Sequence, residues 1–433
     1  MKKRVSDNKI LIVCGIFFFY SIIFFSLFQQ HTLIQADTAS YVNAANNILK
    51  SGFFSQDGIA PDYFRTPGYP IFLAIIYMLG GNNTVVAIVQ IVLSTVGIYL
   101  IYKTLLLLKT PKNLALTGTA LLIFDLTLQE YASIILTESL FAFFLVSSLY
   151  FFVKFIVSGR QSFSCFLAFT ISLNYALLIR PILMYFNLLV TVALFIFFIL
   201  KKVQLKQAAA FFLCFAVVFI GWSYRNYRYS SVFVYSIVRN YNLMYFDSTV
   251  LKARIEKISF GDAWENHQTL FDLEYPNAAN SGMNSAQLSV LHGEYGSRYI
   301  KNHFPQFLLQ NVVGLYKVML GPGQTFIDTI FPNNIIAFLI KVIYTCYLAA
   351  IYMLYLNGAI MNYRKFDIVQ VFIFLLSAYL AIASASVGYN RFRDPFFRLI
   401  LLGAVSNSSV ILERVSAVLN IRVVTKVKDW LLK

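Results

Sequence analysis

The residues best equipped for chemistry are an acid, Asp37, and an arginine, Arg65, near the two ends of one short polar stretch. Asp37 stands where a helix would begin, in Ala36-Asp37-Thr38-Ala39-Ser40-Tyr41, and Arg65 opens the turn-rich string Arg65-Thr66-Pro67-Gly68-Tyr69-Pro70. A carboxylate that can take a proton and a guanidinium that can hold an anion suit a sugar-phosphate substrate. Glu138 follows in Leu136-Thr137-Glu138-Ser139-Leu140, and Arg391 and Arg393 stand either side of Phe392, ahead of Asp394-Pro395. Pro395 fits the first turn of a helix, so an anion there would meet two guanidinium groups and a helix N-terminus.

Each of these residues also has an ordinary use. Asp37 suits the N-cap of a helix that puts Tyr41 and Ala44/Ala45 on its own face. Arg65, Arg391 and Arg393 suit interfacial anchors, with their stems in lipid and their heads at the phosphates. Glu138 suits the first turn of a helix. What separates the two uses is where the elements place the residues.

The composition points to a membrane. Of 433 residues 59% are hydrophobic and only 12% charged, and the mean hydropathy is +0.68. The net charge of +16 does not indicate nucleic acid, because Lys and Arg sit in short clusters between apolar runs, where the positive-inside rule places them. The four cysteines, Cys14, Cys165, Cys214 and Cys346, fall inside apolar runs without metal-ligand spacing, which argues against disulfides and a Cys-based metal site.

The charge pattern predicts an all-α polytopic membrane protein of about ten transmembrane helices, with both termini cytoplasmic and membrane lipids as its surroundings. Ile10–Phe28 is the first span and is not cleaved. Residues 29–83 form the first external loop, in which Ile71–Leu79 is too short to cross and rests at the interface. Leu114–Leu128 reads as one rising span, and Ala208–Trp222 as another. Ser223–Asn334 is a large external loop ending in an amphipathic interfacial helix, Phe304–Leu320, and residues 412–433 form a basic cytoplasmic tail. The whole chain, 1–433, reads as a single transmembrane domain. On this topology Asp37, Arg65, Glu138, Arg180, Arg225, Arg391 and Arg393 all fall on the outer side, although other residues assigned it.

With its residues so placed, the chain resembles the GT-C superfamily of membrane glycosyltransferases. It is most similar to the family-39-like branch of protein O-mannosyltransferases and lipid A aminoarabinose transferases. The resemblance rests on the motifs already quoted, together with Leu178-Ile179-Arg180-Pro181 and Gly221-Trp222-Ser223-Tyr224-Arg225-Asn226. It implies a polyprenyl-phosphate-linked sugar donor, Asp37 as the base for a lipid or glycan acceptor, and Glu138 as a second acidic position. Arg65 and Arg391 match positions that face the donor phosphate, with Arg393, Tyr41, Tyr69 and Arg225 as further candidate binding residues. Thr38 stands where the O-mannosyltransferases carry a second acid next to the first, which argues against a protein acceptor. Two uses of Glu138 stay open, positioning the acceptor and joining Asp37 on a divalent metal cation. The rival functions are a polysaccharide polymerase, which has no need of an acid opening the first loop, and a lipid-linked glycan flippase or transporter. A transporter would carry ionisable groups at mid-membrane depth.

Overall fold

The computed structural model describes residues 8–32, 34–278, 282–323, 327–328, 331–332, 334–362, 367–419 and 422–431. Lys2, Lys3, Arg4, Arg364, Lys365 and Lys433, which entered the charge pattern, lie outside them. Every regular element described is helical. Helices α1 (Asn8–Thr32), α2 (Thr38–Ser51), α3 (Gly68–Met78) and α4 (Asn83–Leu107) come first. Then follow α5 (Lys112–Ala120), α6 (Leu126–Ser133), α7 (Glu138–Val157), α8 (Phe163–Ile179), α9 (Met184–Ile199) and α10 (Leu205–Ser230). A polar region holds α11 (Val238–Asn242), α12 (Thr249–Glu256), α13 (Phe260–Glu274), α14 (Ser285–Asn302) and α15 (Phe304–Leu320). The chain closes with α16 (Ile335–Asn362), α17 (Ile368–Ala383), α18 (Arg393–Leu419) and α19 (Arg422–Leu431).

Among the described residues, six helices are long and apolar enough to cross a membrane: α1, α4, α7, the stretch Pro181–Ile199, α10 and α16. Four shorter apolar helices accompany them. Burial differs sharply among the six. In α7 61% of an 18-residue window is enclosed by protein, against 22% in α10, so α7 is the hub and α10 is the least enclosed of the six. Phe141, Leu145, Leu149 and Val153 of α7 are fully enclosed, and α7 packs on α4 and α8. Since lipid tails are as apolar as leucine, such tight packing is what holds a bundle together inside a membrane.

Two segments depart from the sequence reading. Leu114–Leu128 is not one continuous helix: α5 ends at Ala120, a 3-10 turn covers Leu121–Phe124, and Asp125 is extended before α6. The reason is Asp125 itself, whose Oδ1 accepts from the Thr127 amide at 3.1 Å and from the Tyr344 hydroxyl. A buried carboxylate in an apolar run needs donors, and breaking the helix supplies one. The region from Ser223 is folded into helices of its own. Helix α10 continues to Ser230, and α11 to α14 close around Met244, Tyr245, Phe271 and Tyr295. Helix α15 is amphipathic as expected: Gln310, Gly314 and Val318 are buried, while Leu308, Leu309, Val312 and Tyr316 are exposed.

Candidate functional site

The first loop and the end of α8 are locked together by small residues. Thr66 donates from Oγ1 to Ile179 O at 3.0 Å, and the Tyr175 hydroxyl donates to Gly68 O at 3.1 Å. A Cβ on Gly68 would lie 2.6 Å from the Leu178 carbonyl carbon, so only glycine permits this approach. The string Arg65-Thr66-Pro67-Gly68 is thereby docked beside Leu178-Ile179-Arg180, which fixes Arg65 and Arg180 on one wall. The third arginine, Arg391, arrives on a short 3-10 turn, Asn390–Phe392, ahead of α18. Helix α15 holds the chain just before that turn: a Cβ on Gly314 would overlap the Ala385 carbonyl, and Gln310 donates to Ser386 O at 3.1 Å.

These elements assemble five charges into a ladder. Arg65 Nη2 lies 2.8 Å from Asp37 Oδ1, and Arg391 Nη2 lies 3.1 Å from Asp37 Oδ2. Arg391 Nε is 3.0 Å from Glu138 Oε1, an ion pair without the angle of a hydrogen bond, and Arg180 Nη2 reaches the same Oε1 at 2.7 Å. The order is therefore Arg65, Asp37, Arg391, Glu138, Arg180. Arg65 is steadied further by the Ser40 hydroxyl at 2.9 Å and the Tyr41 hydroxyl at 3.0 Å, and Arg180 by Thr137 at 2.9 Å. Asp37 does not use its side chain as an N-cap; its backbone is already helical and both its oxygens go to guanidinium groups. The competing structural use of Asp37 thus fails, while Tyr41, Ala44 and Ala45 are buried on one face of α2 as the spacing predicts.

Asp37, Tyr41, Arg65, Arg180 and Arg391 line a cavity of about 1060 Å³. The Asp37 side chain is 36% exposed, whereas that of Glu138 is sealed at 0%. Burial alone would raise the pKa of Asp37, but the charges of Arg65 and Arg391 outweigh it and hold the carboxyl below its usual range. For Arg391 burial works against the charge, and Glu138 and Asp37 more than offset it. The arrangement offers an ionised, reachable carboxylate between two arginines, with a second carboxylate behind them that orients guanidinium groups and does not itself reach the cavity.

The remaining candidates are placed elsewhere. Arg393 is fully buried and caps the end of α15, donating from Nη1 to Val318 O, Met319 O and Gly321 O at 3.2, 3.2 and 2.6 Å. Its Nη2 bonds Thr127 and Tyr344, so Arg393 fastens helices and does not face the cavity. Arg225 donates to Asp62 O at 2.7 Å and Phe54 O at 2.8 Å among Phe54, Tyr63, Trp222 and Tyr229, stapling the first loop to α10. Tyr69 is buried, bonds Gln90 at 2.7 Å and packs edge-on against Tyr41, which supports the wall from behind. Arg180, a cavity-lining partner of Glu138, is the residue that motif reasoning left without a role; its signal was the Leu178-Ile179-Arg180-Pro181 motif.

The sequence signature of the dolichyl-phosphate-mannose-protein mannosyltransferase family matches residues 10–250. No curated protein sequence matches the chain. Among solved structures, the chain superposes on the oligosaccharyltransferase from Archaeoglobus fulgidus in its apo form with a TM-score of 0.54 and 13% identity over 96% of this chain. The same archaeal enzyme in complex with an inhibitory peptide and a dolichol-phosphate gives a TM-score of 0.51 and 12% identity over 95%. This chain spans about half the length of that enzyme, 52% in both cases. At such identity the likeness fixes the fold, which is of the GT-C type, and leaves the chemistry to the residues.

Proposed function

Because the chain belongs to the dolichyl-phosphate-mannose-protein mannosyltransferase family, we propose that it moves a sugar from a polyprenyl-phosphate donor to an acceptor hydroxyl. The site would lie on the outer face of the cytoplasmic membrane, and the acceptor would be a lipid or a surface glycan. What carries this reading is Asp37, a part-exposed carboxylate in a large cavity, held between two arginines that each pair with it directly. An arriving lipid phosphate competes with Asp37 for Arg65 and Arg391, because both are anions seeking the same forks. As the guanidinium groups turn to the phosphate, the hold on Asp37 weakens and its affinity for a proton rises. Asp37 then takes the proton of the acceptor hydroxyl while that oxygen attacks the anomeric carbon. The bond from this carbon to the phosphate oxygen breaks on the opposite face, and configuration inverts. The departing phosphate keeps its charge against Arg65 and Arg391, which is electrostatic stabilisation where charge develops. Glu138 is a positioning residue for Arg391 and Arg180.

A divalent cation does not fit Asp37 and Glu138. Arg391 bridges the two carboxylates, Arg65 and Arg180 close the ends, and a cation would need to displace guanidinium from each. The test offers purified protein a mannosyl-phosphoundecaprenol and, separately, GDP-mannose with the same acceptor pool. Turnover confined to the lipid-linked sugar is expected; equal turnover with the nucleotide sugar would overturn the donor assignment.

A further inference from the structure

At another part of the cavity wall stands a carboxylate that the transfer chemistry leaves unused. Asp247 lies in Leu243–Ser248, which is wound as a π-helix and so projects its side chains out of the ordinary register. Leu243, Phe246 and Asp247 all line the cavity. The segment is rigidly held. A Cβ on Gly296 of α14 would come within 2.5 Å of the Leu243 carbonyl, and one on Gly293 within 2.7 Å of Asn240, so α14 presses its bare backbone against it. Gln310 of α15 donates both to Asp247 O at 3.2 Å and to Ser386 O at 3.1 Å, clamping the π-helix to the loop that leads to Arg391. Ser386 lines the cavity with Asp247, and the carboxyl Oδ1 is buried without a hydrogen-bond partner. Leaving a buried acceptor unmade is costly, and Asp247 belongs to the cavity wall, so a small local shift would let a donor from the cavity complete it.

The chemistry of that donor follows from the two parts of the cavity wall. A phosphate belongs with Arg65 and Arg391 and would be repelled by a carboxylate, which accepts hydrogen bonds and gives none. Hydroxyl groups satisfy it, and Tyr241 and Phe246, which line the same cavity, offer aromatic surface for the C–H side of a sugar ring. We propose that Asp247, with Ser386, is the recognition site for the uncharged sugar of the donor, accepting hydrogen bonds from its hydroxyls while the arginines hold the phosphate. The inference rests on the donor reading above and adds the residue that would select the sugar.

The test uses the full-length protein in nanodiscs, without acceptor, and compares undecaprenyl phosphate with mannosyl-, glucosyl- and galactosyl-phosphoundecaprenol. The unaltered protein should bind one sugar lipid more tightly than undecaprenyl phosphate. Asp247→Asn should lose that preference, weakening the sugar lipid by about tenfold or more, while its affinity for undecaprenyl phosphate stays the same and reports an intact fold. A variant that keeps the sugar preference, or loses affinity for both lipids equally, overturns the sugar site. So does unaltered protein that binds undecaprenyl phosphate as tightly as every sugar lipid, and either result leaves the transferase reading standing. Failure of the unaltered protein to bind any of the four would instead overturn the donor reading, and this site with it.

Discussion

Two clusters of arginine and carboxylate sit close together in this fold, and Arg391 and Arg393, separated by one residue, belong to different ones. The ladder along the cavity sets Arg65, Arg391 and Arg180 against Asp37 and Glu138. The second cluster sets Arg393 and Arg398 against Asp125 and Asp394, with Arg398 bidentate on Asp394 at 3.0 Å to each oxygen and Tyr344 joining Arg393 to Asp125. The same residue types serve opposite ends. In the sealed cluster two positive charges meet two negative ones and all four residues are 0–1% exposed, so the charges hold α18 to its neighbours. In the ladder three guanidinium groups face two carboxylates, Asp37 is reachable, and one positive charge is left over beside a cavity. A binding site for an anion requires such an imbalance, whereas a structural cluster could not tolerate it without water.

The strongest test of the contrast is to neutralise one acid in each cluster. Asp37→Asn keeps size but cannot take the acceptor proton, so transfer should fall by about 10²–10⁴-fold. Protein should still accumulate, and thermal stability should fall much less than in the sealed cluster, because Asp37 is part-exposed and its side chain does not cap α2. Asp394→Asn should do the reverse, destabilising by about 3–5 kcal/mol by stranding Arg398 inside the bundle. Initial rates and melting curves on both variants decide it. Near-normal transfer by folded Asp37→Asn would remove the catalytic assignment.

The arginines give a smaller but cleaner pair. Arg391→Ala removes one charge-assisted contact with the phosphate, on the order of 1.5–3 kcal/mol, and should raise the donor KM or lower kcat by about 10- to 150-fold in folded protein. Arg393→Ala uncaps α15, whose carbonyls at Val318, Met319 and Gly321 lose their shared donor, and should appear first as lost stability. If the two variants gave the same phenotype, the division between ladder and fastener would fail.

Much of this was legible in the sequence, because membrane topology and short motifs are both written locally. Asp37, Arg65, Glu138 and Arg391 each sit beside a turn or helix start, and the structure joins the four in one ladder of ion pairs. What could not be read was which way each arginine turns. Arg393 and Arg225 carry the same motif signal as Arg391, and only three-dimensional packing shows their donors taken up by backbone carbonyls of distant segments. The helix break at Asp125 was hidden because one of its donors, Tyr344, stands more than two hundred residues away in sequence. Asp247 was invisible for a related reason, since a π-turn shifts the register on which helical patterns rest.

Acid should distinguish the two carboxylates of the cavity more gently. Asp37 is held below its usual range, so it contributes stability above about pH 4 that is lost only as pH falls further. Burial pushes the Asp247 carboxyl up to about 6, so this group favours the folded state at low pH and its contribution is lost as pH rises through 6. Sugar recognition requires the charged acceptor, however. Donor-sugar affinity should therefore weaken below pH 6, by at most about tenfold per pH unit, and Asp247→Asn should flatten that slope. A slope unchanged in the variant would assign it to another group.

Removing divalent metal should have the smallest effect. A cation shared by Asp37 and Glu138 would have to push Arg391 off both, since that guanidinium touches one oxygen of each. It would then stand beside three fixed positive charges, each unit of like charge about 4 Å away costing roughly 4 kcal/mol at the dielectric of a protein surface. In the sealed cluster a cation fares no better, because Arg393 and Arg398 hold its carboxylates. Transfer from a lipid-phosphate donor by purified protein should thus be the same before and after EDTA, and adding Mg²⁺ or Mn²⁺ should not raise it. Loss of transfer in EDTA, restored by Mn²⁺, would mean that the ladder opens when substrate binds and that its arginines yield the carboxylates to a metal. In that event Arg391→Ala should bind the metal more tightly than the unaltered protein, which the same titration would reveal.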